Sequence, residues 1–283
     1  LLKDRGYQTA VVSDFCGEIF SRIDLGFDRV EVPSFDARAL VLQRGVTVHR
    51  NLLPYLSGAG FGSLGLALGQ RVFPELEGVS ELADPKLLAA TRALRTIAQH
   101  SRTDAPFFLT VFFSTAHFPY AAPAPYYRRF MDPSYRGPFL YHKPPLTDVS
   151  SPADVAAVQA LYDGSVAAAD AGVRTLLDGL LALGRAEDTI VVLLSDHGEN
   201  LYDEPGRGMG HGDHLEGNQS LRVPVLIHDP VHRFPPHAVT GLTRDIDLVP
   251  TLLALLGQPA DAALRSQLDG VDLGPLLRGD QAS

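Results

Sequence analysis

The sequence predicts an α/β protein with a mostly parallel sheet and helices on both faces, and two observations carry that expectation. Apolar runs of strand length, at residues 8–13, 106–113 and 189–194, alternate with stretches of helical period, at 85–100 and 152–183. The run Thr189-Ile-Val-Val-Leu-Leu194 also ends directly in Ser195-Asp196-His197-Gly198-Glu199. An acid, an imidazole and a glycine therefore stand at the carboxyl end of a strand, the edge where open α/β sheets hold their sites.

Taken in order, residues 1–13 read as the last turn of a helix, a glycine stop at Gly6 and a strand, with a second short strand at 28–32. Residues 51–69 are rich in Leu and Gly without a clean period. Residues 85–100 have helical spacing, with Leu87, Leu88, Leu94 and Ile97 on one side. The strand at 106–113 runs into Ser114-Thr-Ala-His117-Phe-Pro119-Tyr120. Residues 119–152 then turn to Pro, Tyr, Arg and Ser, which reads as a long surface excursion and a candidate substrate lid. Ser151-Pro152-Ala153-Asp154 caps a long helix through Leu183 that Gly184 ends. After the acid-imidazole turn come Gly210-His211-Gly212-Asp213-His214 and Ser220-Leu-Arg222-Val-Pro224-Val-Leu-Ile-His228, the latter a neighbouring strand. No linker-like stretch divides the chain, so residues 1–283 are expected to form one domain.

Lys and Arg number 24 against 33 Asp and Glu, a net charge of −9, which excludes nucleic acid as the main partner because phosphate backbones demand clustered bases. One cysteine cannot form an internal disulfide. No apolar run approaches the roughly twenty residues of a membrane span.

Asp196 and His197 are metal-ligand types. In a tight turn both can reach one ion if other ligands come from elsewhere, which implies one divalent metal ion: Ca, Mn or Zn. The imidazole leans towards a borderline ion such as Zn or Mn, since oxygen-only shells suit Ca. The plainer alternative makes Asp196 a helix cap and Gly198 the bend. Glu199 suits a supporting role, orienting His197. Asp163 and Asp170, seven apart on one helix face, look like surface or packing residues, and Asp245 and Asp247 like caps.

With its SDHG turn, the H-x-P-Y of His117–Tyr120, the R-V-P of Arg222–Pro224, the D-x-x-P-T-L-L of residues 247–253 and the closing Asp269-Gly270…Pro275-Leu-Leu-Arg-Gly279, the chain resembles the sulfatase branch of the alkaline phosphatase superfamily. The resemblance implies an alkaline-phosphatase-like fold entered midway, with the amino-terminal part of the natural protein upstream. It further implies a metal-dependent sulfuric or phosphoric ester hydrolase acting on a small anionic ester through a covalent nucleophile upstream of this segment. The alternatives are a phosphoethanolamine or phosphoglycerol headgroup transferase of the cell envelope, or an inactive relative of the fold. By the same resemblance His117 and His211 are catalytic, and His214 and Arg222 bind substrate. His214 is otherwise an exposed loop residue and Arg222 a partner for a structural acid. The pairing of Asp with His leans towards the phosphodiester, phosphonate or headgroup-transfer members. A periplasmic or membrane-associated setting, with any anchor outside this segment, is suggested by the resemblance alone. Cys16 lacks the C-x-P-x-R or C-x-A-x-R context of a sulfatase nucleophile and reads as a buried small residue.

Overall fold

The structure, a computed structural model, describes residues 1–14, 17, 19–32, 89–100, 105–120, 122, 125–140, 143, 148–203, 208–211, 218–258 and 260–280. Cys16, His214, the 51–69 stretch and parts of the 119–152 excursion lie outside the described residues. The chain divides into two compact units, residues 1–184 with 200–210, and residues 185–199 with 211–283.

The first unit is built on β1 (Gln8–Ser13), flanked by β2 (Arg29–Glu31) and β3 (Phe107–Phe112), both parallel to it, in the order β2-β1-β3. A short helix α1 (Ile19–Arg22) lies between β1 and β2, and α2 (Ala89–His100) precedes β3. As the central strand, β1 is covered on both faces, and Thr9 to Ser13 are all buried. This is why it reads as a continuous apolar run rather than an alternating one.

The long helix α3 (Pro152–Ala182) begins and ends where the sequence puts its signals. The Ser151 hydroxyl accepts the Asp154 N–H at 3.1 Å, Pro152 occupies the first turn, and Gly184 sits at φ 68°. Its buried face combines small residues, among them Gly164, Ser165, Ala168 and Gly172, with Val158, Leu161 and Leu180. A Cβ on Gly164 would lie 2.5 Å from the Tyr126 carbonyl oxygen, and one on Gly172 2.9 Å from the Phe113 ring. The helix therefore packs closely on the segments before it. Asp163 and Asp170 are on its exposed side, as expected.

The 119–152 segment differs from a simple surface excursion. Tyr120, Tyr127, Tyr135 and Phe139 are buried against Val158 and Leu161 of α3, and the Tyr135 hydroxyl donates to Asp154 at 2.6 Å. Its many aromatics are what anchor it, because each buries a large apolar surface. A two-residue ladder, β5 (Asn200–Leu201) with β6 (Met209–Gly210), adds Leu201 and Met209 to the same cluster, and Gln159 Nε2 donates to the Leu201 carbonyl at 2.9 Å.

In the second unit β4 (Val191–Leu194) pairs with β7 (Val225–His228) from Val191↔His228 to Leu194↔Val225. The neighbour relation matches the sequence reading, and the pair is antiparallel. Short helices α4 (Asn218–Leu221), α5 (Leu248–Leu255), α6 (Ala262–Arg265) and α7 (Gly274–Arg278) complete the unit. Asp247 does more than cap. Its buried carboxylate accepts the backbone N–H groups of Arg244 and Val271, each at 2.9 Å, tying the start of α5 to the closing turn. The Thr251 hydroxyl adds to the knot by accepting the Leu273 N–H at 2.9 Å. Gly270 fits there because a Cβ would lie 2.0 Å from the Ile246 carbonyl oxygen. Two of the late motifs are thereby accounted for by structure alone.

At the end of β7, Asp229 is buried and accepts from Arg233 Nε at 2.8 Å, Nη2 at 2.7 Å and N at 2.9 Å. The hydrogen-bonded Arg233 guanidinium holds the Asp229 carboxyl at about 2. Because the folded value lies below the ordinary one near 3.9, the stabilisation is complete above that value and is lost as pH falls towards 2. Arg233→Ala is expected to destabilise by roughly 1.5–3 kcal/mol at pH 7. The penalty should shrink between pH 4 and 2 in thermal melts; a penalty constant across that range would refute the assignment.

Candidate active site

The apolar side chains of β4 give way at Ser195 to a turn held by local hydrogen bonds. The Ser195 hydroxyl donates to the His197 carbonyl at 2.7 Å, and the His197 N–H donates to Asp196 Oδ1 at 3.0 Å. Gly198 then meets α4: its N–H donates to the Ser220 carbonyl at 2.9 Å, and a Cβ would lie 1.8 Å from the Gln219 carbonyl oxygen. Its φ is not in the left-handed region, so close approach, rather than a bend, requires glycine here.

The His197 ring has a fixed tautomer. Nδ1 lies 2.8 Å from the Gly198 carbonyl oxygen, which can only accept, so Nδ1 carries the proton and Nε2 presents a lone pair. Metal-binding imidazoles commonly use their second ring nitrogen in this way. Nε2 stands 3.8 Å from Asp196 Oδ2, a separation that two ligands of one cation can take at bond lengths of about 2.0–2.6 Å. The two side chains are 64 % and 37 % exposed for Asp196 and His197 respectively, so an ion can reach them. The pair fits a divalent cation as a partial shell. Among the described residues no group of three His, Cys, Asp or Glu side chains is placed to hold a metal ion, so further ligands are needed.

His211 joins this pair. Its ring centroid lies 3.9 Å from that of His197, with the planes inclined at 30°. Its Nδ1 stands 3.1 and 3.3 Å from the two oxygens of Glu199, whose side chain is only 5 % exposed. Glu199, expected to orient His197, thus supports His211 instead. The reason is the ladder between them: the Asn200↔Gly210 pairing makes Glu199 and His211 the next residues on adjoining strands. The same tautomer logic applies to His117 in the first unit, where Nδ1 lies 2.7 Å from the Phe118 carbonyl oxygen. In each of the three imidazoles Nδ1 thus stands within hydrogen-bond range of an acceptor close by in its own unit.

Arg222 is exposed just after α4 and makes no ion pair with another described residue. The pairing of Glu199 with His211 had no signal in the sequence beyond a spacing of twelve.

The α/β architecture is that of alkaline-phosphatase-like proteins. A phosphonate monoester hydrolase from Agrobacterium radiobacter superposes with a TM-score of 0.66 at 22 % identity, covering 100 % of this chain and 61 % of that one. The sulfatase family profile matches residues 1–258, and the chain belongs to the sulfatase family. Human arylsulfatase A is 30 % identical over 218 residues, 73 % of this chain and 36 % of its own length. Mouse steryl-sulfatase is 36 % identical over 132 residues, 42 % of this chain and 20 % of its own length. The chain thus spans between a fifth and two fifths of these curated relatives. No described helix is long and apolar enough to cross a membrane.

Proposed function

We propose that the protein is a metal-dependent sulfuric ester hydrolase acting on a small anionic ester. The observation that supports this most is the cluster at the end of β4, where Asp196, His197 and the Glu199-supported His211 gather in a chain of the sulfatase family. Asp196 Oδ2 and His197 Nε2 would hold one divalent cation, Ca, Mn or Zn. When bound, the cation draws charge from the ester's anionic oxygens as a Lewis acid. His211, its Nδ1 proton directed to Glu199, turns Nε2 towards the anion, and Glu199 fixes the ring. His117 contacts the anion or the leaving oxygen, while His214 and Arg222 add positive charge or donors for substrate binding. The reaction passes through a covalent nucleophile for which residues 1–283 offer no sequence of the expected pattern. Steryl-sulfatases, arylsulfatase A and a choline-sulfatase are among the relatives of 30 % identity or more, which favours sulfate over the phosphate ester that the Asp–His pair alone leans towards.

Assay of the full-length protein with 4-nitrophenyl sulfate and bis(4-nitrophenyl) phosphate tests the reading. Faster turnover of the sulfate is expected. A preference for the phosphodiester would overturn the sulfate assignment, and inertness towards both would overturn the hydrolase.

A further inference from the structure

Asp14 is a buried acid that this chemistry does not use. It follows β1 at the carboxyl end of the central strand and is 3 % exposed. Its Oδ1 accepts the Ser114 N–H at 2.7 Å and the Ser114 hydroxyl, and its Oδ2 accepts the Thr115 hydroxyl at 3.3 Å. Its own N–H donates to the Phe112 carbonyl at 3.2 Å, continuing the β1–β3 ladder. Both carboxylate oxygens thus accept from Ser114 and Thr115, in the loop that leaves β3.

From Ser114 the hydrogen bonds lead to His117. The His117 N–H donates to the Ser114 carbonyl at 2.8 Å, the Tyr120 N–H donates to the His117 carbonyl at 3.1 Å, and the ring Nδ1 donates to Phe118 at 2.7 Å. Apolar packing of β1 on β3 has no need of an acid at this point. Burial pushes the Asp14 carboxyl above the ordinary carboxylate range, against the pull of the Ser114 and Thr115 donors, so an acid here is costly unless the loop requires its two acceptors.

We propose that Asp14 is a positioning residue for His117: it pins the Ser114–Thr115 corner to the end of the central strand and so fixes the turn that aims the imidazole. The proposal rests on the reading of His117 as a residue that meets the substrate.

The test is a double-mutant cycle in the full-length enzyme, read as kcat for 4-nitrophenyl sulfate. Asp14→Ala, which removes every acceptor, is expected to lower kcat about 10–100-fold, the range for residues that orient a functional side chain. In a His117→Ala background the same change should cost less than about two-fold, because its effect passes through the ring. Asp14→Asn keeps a carbonyl oxygen for both Ser114 donors and should restore kcat to within about three-fold. Full additivity with His117→Ala, or an unchanged kcat in Asp14→Ala, overturns the proposal. Should Asp14→Ala fail to fold, the pair Ser114→Ala with Thr115→Val removes both hydroxyl donors and enters the same cycle with the same two outcomes.

The ring signals of ¹³C-labelled histidine separate this from the reading beneath it. If His117→Ala leaves kcat intact, the catalytic reading of His117 fails. The His117 ring signal then decides the positioning claim by itself: it should move in Asp14→Ala and stay in Asp14→Asn, and a signal unmoved in Asp14→Ala refutes it.

Discussion

Asp196→Ala combined with His197→Ala is expected to strip the full-length protein of its metal ion and to lower turnover about a thousand-fold or more. The magnitude follows from removing two ligands at once: Lewis-acid stabilisation of a transition state is worth several kcal/mol, and each 1.36 kcal/mol is a factor of ten. The fold should survive. Asp196 is largely and His197 partly solvent-facing, so the loss is confined to their hydrogen bonds within the turn, about 1 kcal/mol each. Wild type and variant should therefore differ only modestly in melting once both are treated with chelator. They should melt further apart with metal present, since only the wild type gains stability from binding. Metal content measured on the purified proteins decides the matter: equal content in the two would remove the central assignment.

Gly198→Ala should act on the same site without touching a ligand. The added methyl would stand 1.8 Å from the Gln219 carbonyl oxygen and 3.3 Å from the Ser220 Cα. These are backbone atoms of α4, which cannot swing aside as a side chain can. Overpacking of this kind costs roughly 1–3 kcal/mol, and relief requires the 196–199 turn to lift from α4. Metal affinity is then expected to fall about 10–100-fold, as it does when the support of a ligand is disturbed. Gly208→Ala is the contrast, for a Cβ there meets nothing within 4 Å. A Gly198→Ala protein with wild-type melting temperature and metal affinity would show that the close approach is unimportant.

Much of the fold was legible because it is written in contiguous residues. The cap and stop of α3 depend on Ser151, Pro152 and Gly184, each acting within a turn of its own position. The buried run of β1 announces a central strand. The turn after β4 is likewise closed by its own residues, Ser195 to His197 and His197 to Gly198. Proline and tyrosine, by contrast, misled for residues 119–152: turn-forming composition implies surface, yet the aromatics among them are buried where α3 covers them. Cap-like acids were read only in part, because the Val271 N–H that engages Asp247 comes from 24 residues away.

Sequence by itself determined the main strands, the two longer helices and the placing of an acid and an imidazole at one strand end, which rest on periodicity and short-range hydrogen bonding. The family is read from the resemblance of its motifs. Tertiary structure decided that Glu199 serves His211 rather than His197, that Gly198 is needed for contact rather than for a bend, that β7 runs antiparallel to β4, and that Asp14 reaches Ser114 across a hundred residues. Each depends on which distant segments the folded chain brings within hydrogen-bond range. Residue types and spacing leave that choice open, because many closures of a long loop differ little in entropy and only packing selects among them.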